Sequence, residues 1–396
     1  MKNLSLSLCI MAFCLFSQGC YNHNSREHQG FPILSITNKY PEKAFFIDDA
    51  DKEYIPLETT KEVLADQDFW LAYVSETHIV GRNGRIGDIF IFGRDGKIIS
   101  HFNRKGNSGI EYEEIISIVF DEKRQEIFVA DRQNKGRCAV YSIDGKFLRQ
   151  FYFPENSWIT DLHNFDDETL LAYNGYFKHF HDFEVINQIM PYVFLSKEDG
   201  SIVSRLDLSF LKRVSDDFMI KMNNMEIPFG IKTNNIVKYS QELIIADRSS
   251  DTVFLMTQDK NLTPLFARTP SIFSENPLFV ICLNFRTDRY LFFNTLPISN
   301  NIWAELFTQF ERGQRLSSPH SDFAYDFHTG QIFKIDHDDP LGRNVDAPQN
   351  TTVRLLFAYD LVEDLENGKL EGKLREIAQN IGEEDNPVVE IISWNR

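Results

Sequence analysis

Glu126-Ile-Phe-Val-Ala-Asp-Arg-Gln-Asn-Lys-Gly-Arg-Cys-Ala-Val-Tyr-Ser-Ile-Asp-Gly-Lys-Phe-Leu-Arg-Gln-Phe151 holds three short strand-like runs, the last two joined by Asp144-Gly145. Within them Ile127 and Val129 alternate with Phe128 and Ala130, and Val140 and Ser142 with Ala139 and Tyr141. A period of two is that of a β-strand, and Asp-Gly supplies the positive φ of a tight turn. The stretch therefore reads as an antiparallel meander. It also recurs. Glu242-Leu-Ile-Ile-Ala-Asp-Arg248 repeats its first run, and Thr77–Asn83, Thr169–Gly175 and Arg289–Thr295 align with it. Self-similarity at a period of about 40–50 residues marks a propeller or solenoid.

Counted from the start of each copy, the turn residue falls 19 positions on in three units, at Gly96, Gly145 and Asn261, Asn261 standing in for glycine. It falls 31 and 41 positions on in the other two, at Gly200 and Gly330, so the third and fifth units carry insertions. Inner strands are expected at Trp70–Tyr73, Ile115–Phe120, Ile159–Phe165, Asn235–Tyr239 and Leu278–Leu283. Four strands per unit make an all-β, six-bladed β-propeller of four-stranded antiparallel blades, with seven blades as the rival count. Five units are explicit. A sixth is assembled from both chain ends, using Ala44–Ile47 and Tyr54–Leu57 with Leu355–Asp360 and Val388–Trp394, so that the ring closes and no sheet edge stays open. Between the last two, Asp364–Ile381 reads as helical.

The leader places the protein. Lys2, an apolar run from Leu4 to Phe16 and small residues before Cys20 read as a secretory signal, too short to span a membrane. Ser17-Gln18-Gly19-Cys20 resembles a bacterial lipobox, with Ser17 where leucine is commoner. The expected division is a signal peptide over 1–19, lipidation at Cys20, a tether over 20–39 and one propeller domain over 40–396. Two acyl signals anchor a protein stably. Only Cys138 and Cys282 lie in the body, both in apolar runs, and both read as buried free thiols. Net charge is −17, and losing the leader removes Lys2 but no acid. So acidic a body excludes nucleic acid as a partner.

Residues 127–151 resemble an NHL repeat. The whole chain from about residue 40 is similar to the six-bladed β-propeller lipoproteins of Bacteroides-type bacteria. The stretches that carry the likeness are Tyr54–Thr60, Asn103-Arg-Lys-Gly-Asn-Ser-Gly-Ile-Glu-Tyr112, Phe357–Asp360 and Asp385–Val389. In that family the second stretch reads Gly-Arg-x-Gly-x-Gly-Pro-Gly-Glu-Tyr. Here Asn103 and Gly109-Ile110 depart from it, and a looser turn is expected. The resemblance implies the fold and an envelope location, with outer-membrane anchoring on the periplasmic side. It implies little about activity.

By propeller connectivity, the links from the second to the third strand and from the outer strand to the next inner one share one face. The 103–112 loop and the insertions near 174–190 and 296–322 emerge there, and loops on a rigid scaffold are where binding concentrates. The candidate ligand-binding residues are Arg104, Lys105, Glu111, Tyr112, Tyr176, His179, His181 and Trp303. His179-Phe-His181 with Asp182 lacks a nameable third ligand, and Asp336-His-Asp-Asp339 lacks EF-hand spacing, so no metal and no cofactor is assigned. Trp303, Phe307 and Phe310 suggest a short amphipathic helix on the rim. Asp131 and Asp247, recurring at one blade position, read as structural acids that bond neighbouring backbone.

No nucleophile elbow or phosphate-binding loop is present in the sequence. The expectation is a non-enzymatic envelope lipoprotein that binds a peptide, a glycan or a partner protein. The alternative is a hydrolase, lyase or sugar dehydrogenase with a metal on the ring axis, which fold analogy alone keeps open.

Overall fold

The alternation in the repeat separates two buried faces. In the computed structural model, Ile127, Val129, Ala139 and Tyr141 pack with Val80, Ile89 and Ile91 of the preceding unit. Phe128, Ala130, Cys138 and Val140 pack with Leu162, Leu170 and Leu195 of the following one. All eight side chains of the repeat are fully buried. A strand flanked on both sides by other sheets needs apolar residues at every position, and period two then decides which neighbour each one meets.

The structure describes residues 30–394 apart from 36, 45–49, 66–67, 132–135, 155–156, 177–189, 223–224, 231–233, 275–278, 298–319 and 336–344, with backbone alone over 217–230. From the axis outward, blade I comprises Phe69–Val74, His78–Asn83, Asp88–Gly93 and Ile98–Asn103. Blade II comprises Ile115–Asp121, Glu126–Asp131, Arg137–Ser142 and Phe147–Tyr152. Blade III comprises Ile159–Asn164, Thr169–Asn174, Tyr192–Ser196 and Ile202–Arg205. Blade IV comprises Ile236–Tyr239, Glu242–Ile245, Thr252–Met256 and Leu262–Thr269. Blade V comprises Phe279–Arg286, Tyr290–Pro297, Ser321–Asp326 and Ile332–Ile335. Each is antiparallel throughout, and each of the six blade interfaces holds one apolar cluster.

Blade VI closes the ring from both chain ends, as expected. Val388–Ser393 pairs with Thr351–Leu356 on one side and with Asp51–Pro56 on the other. The turn at Gly96 abuts Ile55 and Pro56 just as Gly145 abuts Phe102 and Gly200 abuts Phe151, which places Asp51–Pro56 in the outer position. The inner position falls to the irregular stretch 345–347, where Asp346 bridges Tyr73 and its carbonyl accepts from Val74 N at 2.9 Å. The expected helix is two. α1, Ala358–Glu366, and α2, Gly372–Ala378, are separated at Gly368, whose φ is +67°. Both pack on blade VI through Leu361, Ile377 and Val388.

The chain joins the ring before residue 40. Ile33–Ser35 runs parallel to the outer strand of blade IV and Glu42–Lys43 to that of blade V. This arm covers two outer edges on its way to blade VI, which protects them from pairing with other chains. A second feature absent from the sequence reading is the hairpin Asp217–Met222/Met225–Gly230 in the link between blades III and IV. No described helix is long and apolar enough to cross a membrane.

The turn ruler needs one correction. Gly96, Gly145, Gly200 and Gly330 have positive φ, but in blade IV the residue with φ of +63° is Lys260, not Asn261. Its Nζ donates to Ser204 Oγ at 2.7 Å and lies 4.0 Å from the Phe194 ring centroid, contacts that offset the backbone strain. Glu122, in the first turn of blade II, latches that blade to blade I. Ser75 Oγ (2.7 Å), Tyr73 OH (2.9 Å) and Thr77 Oγ1 donate to its carboxylate, and His78 Nδ1 lies 2.7 Å away. Burial works to raise its pKa, but these bonds outweigh burial and hold it near 2, down from 4.5.

Two predictions follow from this packing. A Cβ at Gly145 would lie 2.4 Å from Phe102 Cγ at a φ of +75°, whereas one at Gly109 meets nothing within 4 Å. Gly145→Ala is expected to lower stability in urea titration by about 1–3 kcal/mol, with Gly109→Ala near neutral. The folded-state pKa of Glu122 lies below its unfolded value. Its contribution is therefore complete above about pH 4.5 and is lost as pH falls toward 2. Glu122→Gln should accordingly lose less of its urea midpoint across that window than the wild type does.

Candidate functional site

The inner strands and the 345–347 stretch enclose an axial cavity of about 550 Å³. Their geometry is not that of plain strands. The ladder to the second strand slips by one residue between Leu71 and Tyr73, Ile115 and Ser117, Ile159 and Asp161, and Leu283 and Phe285. Each slip is a bulge that breaks the ladder and re-aims the residues beside it. At blade II the freed carbonyls find a partner across the interface. Arg82 of blade I donates from Nη1 to Ile115 O (3.1 Å) and from Nη2 to Ile116 O (2.9 Å). Burial lowers the Arg82 pKa, and Asp161 partly opposes it.

The charged groups of the cavity face one another. Asp161 accepts from Ser117 Oγ at 3.2 Å and lies 3.3 Å from His163 Nε2. Lys238 Nζ pairs with Asp346 Oδ2 at 3.2 Å. Ser117 donates to the Asp161 carboxylate and not to an imidazole. Three asparagines share the lining: Asn164 of blade III, Asn234 just before blade IV and Asn284 at the blade V bulge. Asn284 Oδ1 accepts from Asn294 Nδ2 at 3.2 Å. The Oδ1 atoms of Asn164 and Asn294 are buried without a hydrogen-bond donor. Trp70 lines the same cavity at 52% exposure, and Leu71, Ile118, Ile236 and Val353 form its apolar wall. Among the described residues no three His, Cys, Asp or Glu side chains converge as metal ligands.

The 103–112 loop, read from sequence as an inter-blade clasp or a ligand-facing loop, is held between blades I and II by hydrogen bonds, and none of its residues lines the cavity. Tyr112 is fully buried; its OH donates to Gly87 O (2.6 Å) and accepts from Arg104 N (3.0 Å). Arg104 Nε donates to Gly145 O at 3.0 Å, and Lys105 Nζ to Arg85 O at 2.6 Å. Glu111 accepts from Ser108 N at 3.0 Å, and its bonds to Ser108 lower its pKa. Arg137 Nη1 and Tyr141 OH hold Gly109 O and Ile110 O, so the departures from the family pattern do not loosen the turn. Asp131 caps the clasp as a structural acid, accepting from Glu113 N and Glu114 N, both at 3.1 Å, while Arg137 lies 3.2 Å away. Asp247 likewise accepts from Ser249 N (2.7 Å) and from Tyr192 OH (3.0 Å).

Tyr176 is half-buried and exchanges backbone bonds with Asp216, including Tyr176 N to Asp216 Oδ2 at 2.7 Å. Cys20, His179, His181, Asp182, Trp303, Phe307, Phe310 and Asp336–Asp339 lie outside the described residues. Both body cysteines are buried free thiols, and burial pushes the Cys282 thiol up to about 12. Of the residues missed from sequence, Asp161, His163, Asn164 and Lys238 did leave a signal as polar side chains within runs assigned to the inner strand, whereas Asn234 and Asn284 lie one residue outside such runs and Arg82 lies in a second strand.

The two faces of the ring differ in chemistry. Leu64, Ile86, Ile110, Leu211 and Tyr359 are exposed, and each sits in a link between second and third strands or between blades. Among the described residues, no exposed large apolar side chain sits in the turns of the opposite face. Those turns carry ion pairs instead, such as Arg94–Glu53, Lys123–Asp167 and Arg124–Glu198.

Solved structures are similar to this chain to different extents. A candidate exported protein of Bacteroides fragilis aligns with a TM-score of 0.62 at 14% identity, covering 92% of this chain and 100% of its own. A member of the DUF4221 family from Bacteroides vulgatus aligns at 0.45 and 10% identity, covering 87% and 96%. Virginiamycin B lyase from Staphylococcus aureus aligns at 0.40 and 10%, covering 76% and 78%. No curated protein sequence matches. The family model described as domain of unknown function DUF4934 matches residues 50–393, nearly the whole ring, and the chain belongs to that family.

Proposed function

We propose that this protein is an envelope-anchored lipoprotein whose ring binds a small ligand in its axial cavity without transforming it. The observation that carries the reading is the cavity itself. It falls within the size range of small-molecule sites, has a mixed polar and apolar lining, and draws residues from all six blades. Its one serine–aspartate–histidine grouping is connected in the wrong order for acyl transfer, which favours binding over catalysis. The apolar rim on the insertion-bearing face supports that face as the side presented to a partner or ligand. The leader and Cys20 support lipid anchoring to the outer membrane, and the likeness to a candidate exported protein is in keeping with it.

Two measurements test the reading. Expressed with its own leader in a Gram-negative host, the protein should take up radiolabelled palmitate and fractionate with membranes. Cys20→Ser should lose the label, and an unlabelled wild type would overturn the anchor. For the site, the detergent-solubilised full chain is screened by thermal unfolding against sugars, amino acids and dipeptides. At least one compound should raise the wild-type Tm by several degrees and that of Asn234→Phe, which narrows the channel, far less. Equal shifts in both proteins, or none, sink the axial site.

A further inference from the structure

Resting on the axial cavity as the ligand site, we infer that its ligand is a neutral, hydroxyl-rich molecule of mono- or disaccharide size. The channel holds hydrogen-bonding capacity that the protein does not use itself. Every charge in the channel already has an opposite charge at hand. Lys238 is paired with Asp346, and Asp161 faces both His163 and the Arg82 guanidinium, whose own donors go to two bulge carbonyls. A charged ligand would enter without a free counter-charge and would have to break one of these pairs, leaving a partly buried ion uncompensated.

The capacity left over is amide. Among the described residues the side chains of Asn164 and Asn234 make no hydrogen bond, and Asn284 Nδ2 has no acceptor. A carboxamide offers both a donor pair and an acceptor, which matches hydroxyl groups able to do both, and it carries no charge. The three amides stand on blades III, IV and V and Trp70 on blade I, and the apolar side chains between them, Leu71, Ile118, Ile236 and Val353, come from blades I, II, IV and VI. Amides interspersed with an indole and aliphatic side chains suit a ring with hydroxyls and a C–H face. The cavity of about 550 Å³ has room for one or two such rings.

The test is calorimetric titration of the solubilised full chain. The neutral probes are glucose, galactose, N-acetylglucosamine and lactose; the charged probes are glucuronate, glycine and dialanine. At least one neutral sugar should bind the wild type. Its affinity should fall at least tenfold in Asn234→Ala and in Asn284→Ala, with thermal unfolding confirming that both variants fold. The affinity should change less than twofold between 50 and 500 mM NaCl, as expected of a contact without ion pairing. Binding of a charged probe in preference to every sugar, abolished by Asn234→Phe, overturns the ligand class while leaving the site in place. Binding of no probe, or binding that Asn234→Phe does not alter, overturns the class and the site together.

Discussion

Burial of each blade on both faces is the constraint on which the rest of this molecule depends. Phe90 and Phe92 face blade VI, while Ile89 and Ile91 of the same strand face blade II, and all four are fully buried. A sheet built this way cannot stand alone, because either face would expose a row of large apolar side chains. Stability comes from neighbours, as in any repeat architecture, and a ring is the arrangement that gives every blade two of them. That requirement explains why the sixth blade draws on both chain ends. Pairing of Asp51–Pro56 with Val388–Ser393 supplies the sheet that blades V and I both need.

Between the apolar faces the blades are registered by polar fasteners, each joining a turn or link of one blade to its neighbour. Tyr112, Asp131 and Arg137 fix the link between blades I and II, and Glu122 gathers donors from the first turn of blade I. Lys197, fully buried, donates to Asp121 Oδ2 at 2.6 Å between blades III and II. Removing one partner of such a buried pair strands the other charge, so these residues specify alignment more than they add strength. The axis obeys a different rule. There four inner strands bulge and admit polar side chains, which leaves the cavity lining free to carry chemistry.

Much of the architecture was legible in single residues. Gly96 and Gly145 marked the turns because only glycine takes their φ without strain, and the Ala-Asp pair of the second strand marked the register. Lys260 was misread because its strain is relieved by Ser204 and Phe194, two contacts that lie in another blade. Tyr112 and Glu111 stayed open between clasp and ligand contact because a polar, aromatic loop looks the same in either role. The pairing of Ile33–Ser35 escaped notice because its parallel partner, Leu262–Thr269, lies more than 200 residues further along the chain.

The sequence by itself determined most of the strands, their turns and the repeat, because each rests on interactions between residues close in the chain. Side-chain period, positive-φ turns and an apolar run before Cys20 are all local properties. Only the tertiary structure decided where a ligand could go. Asn164, Asn234 and Asn284 are separated by 70 and 50 residues and belong to no shared motif. They come together because ring closure carries every inner strand to one axis, a geometric consequence of six packed blades that no local pattern encodes.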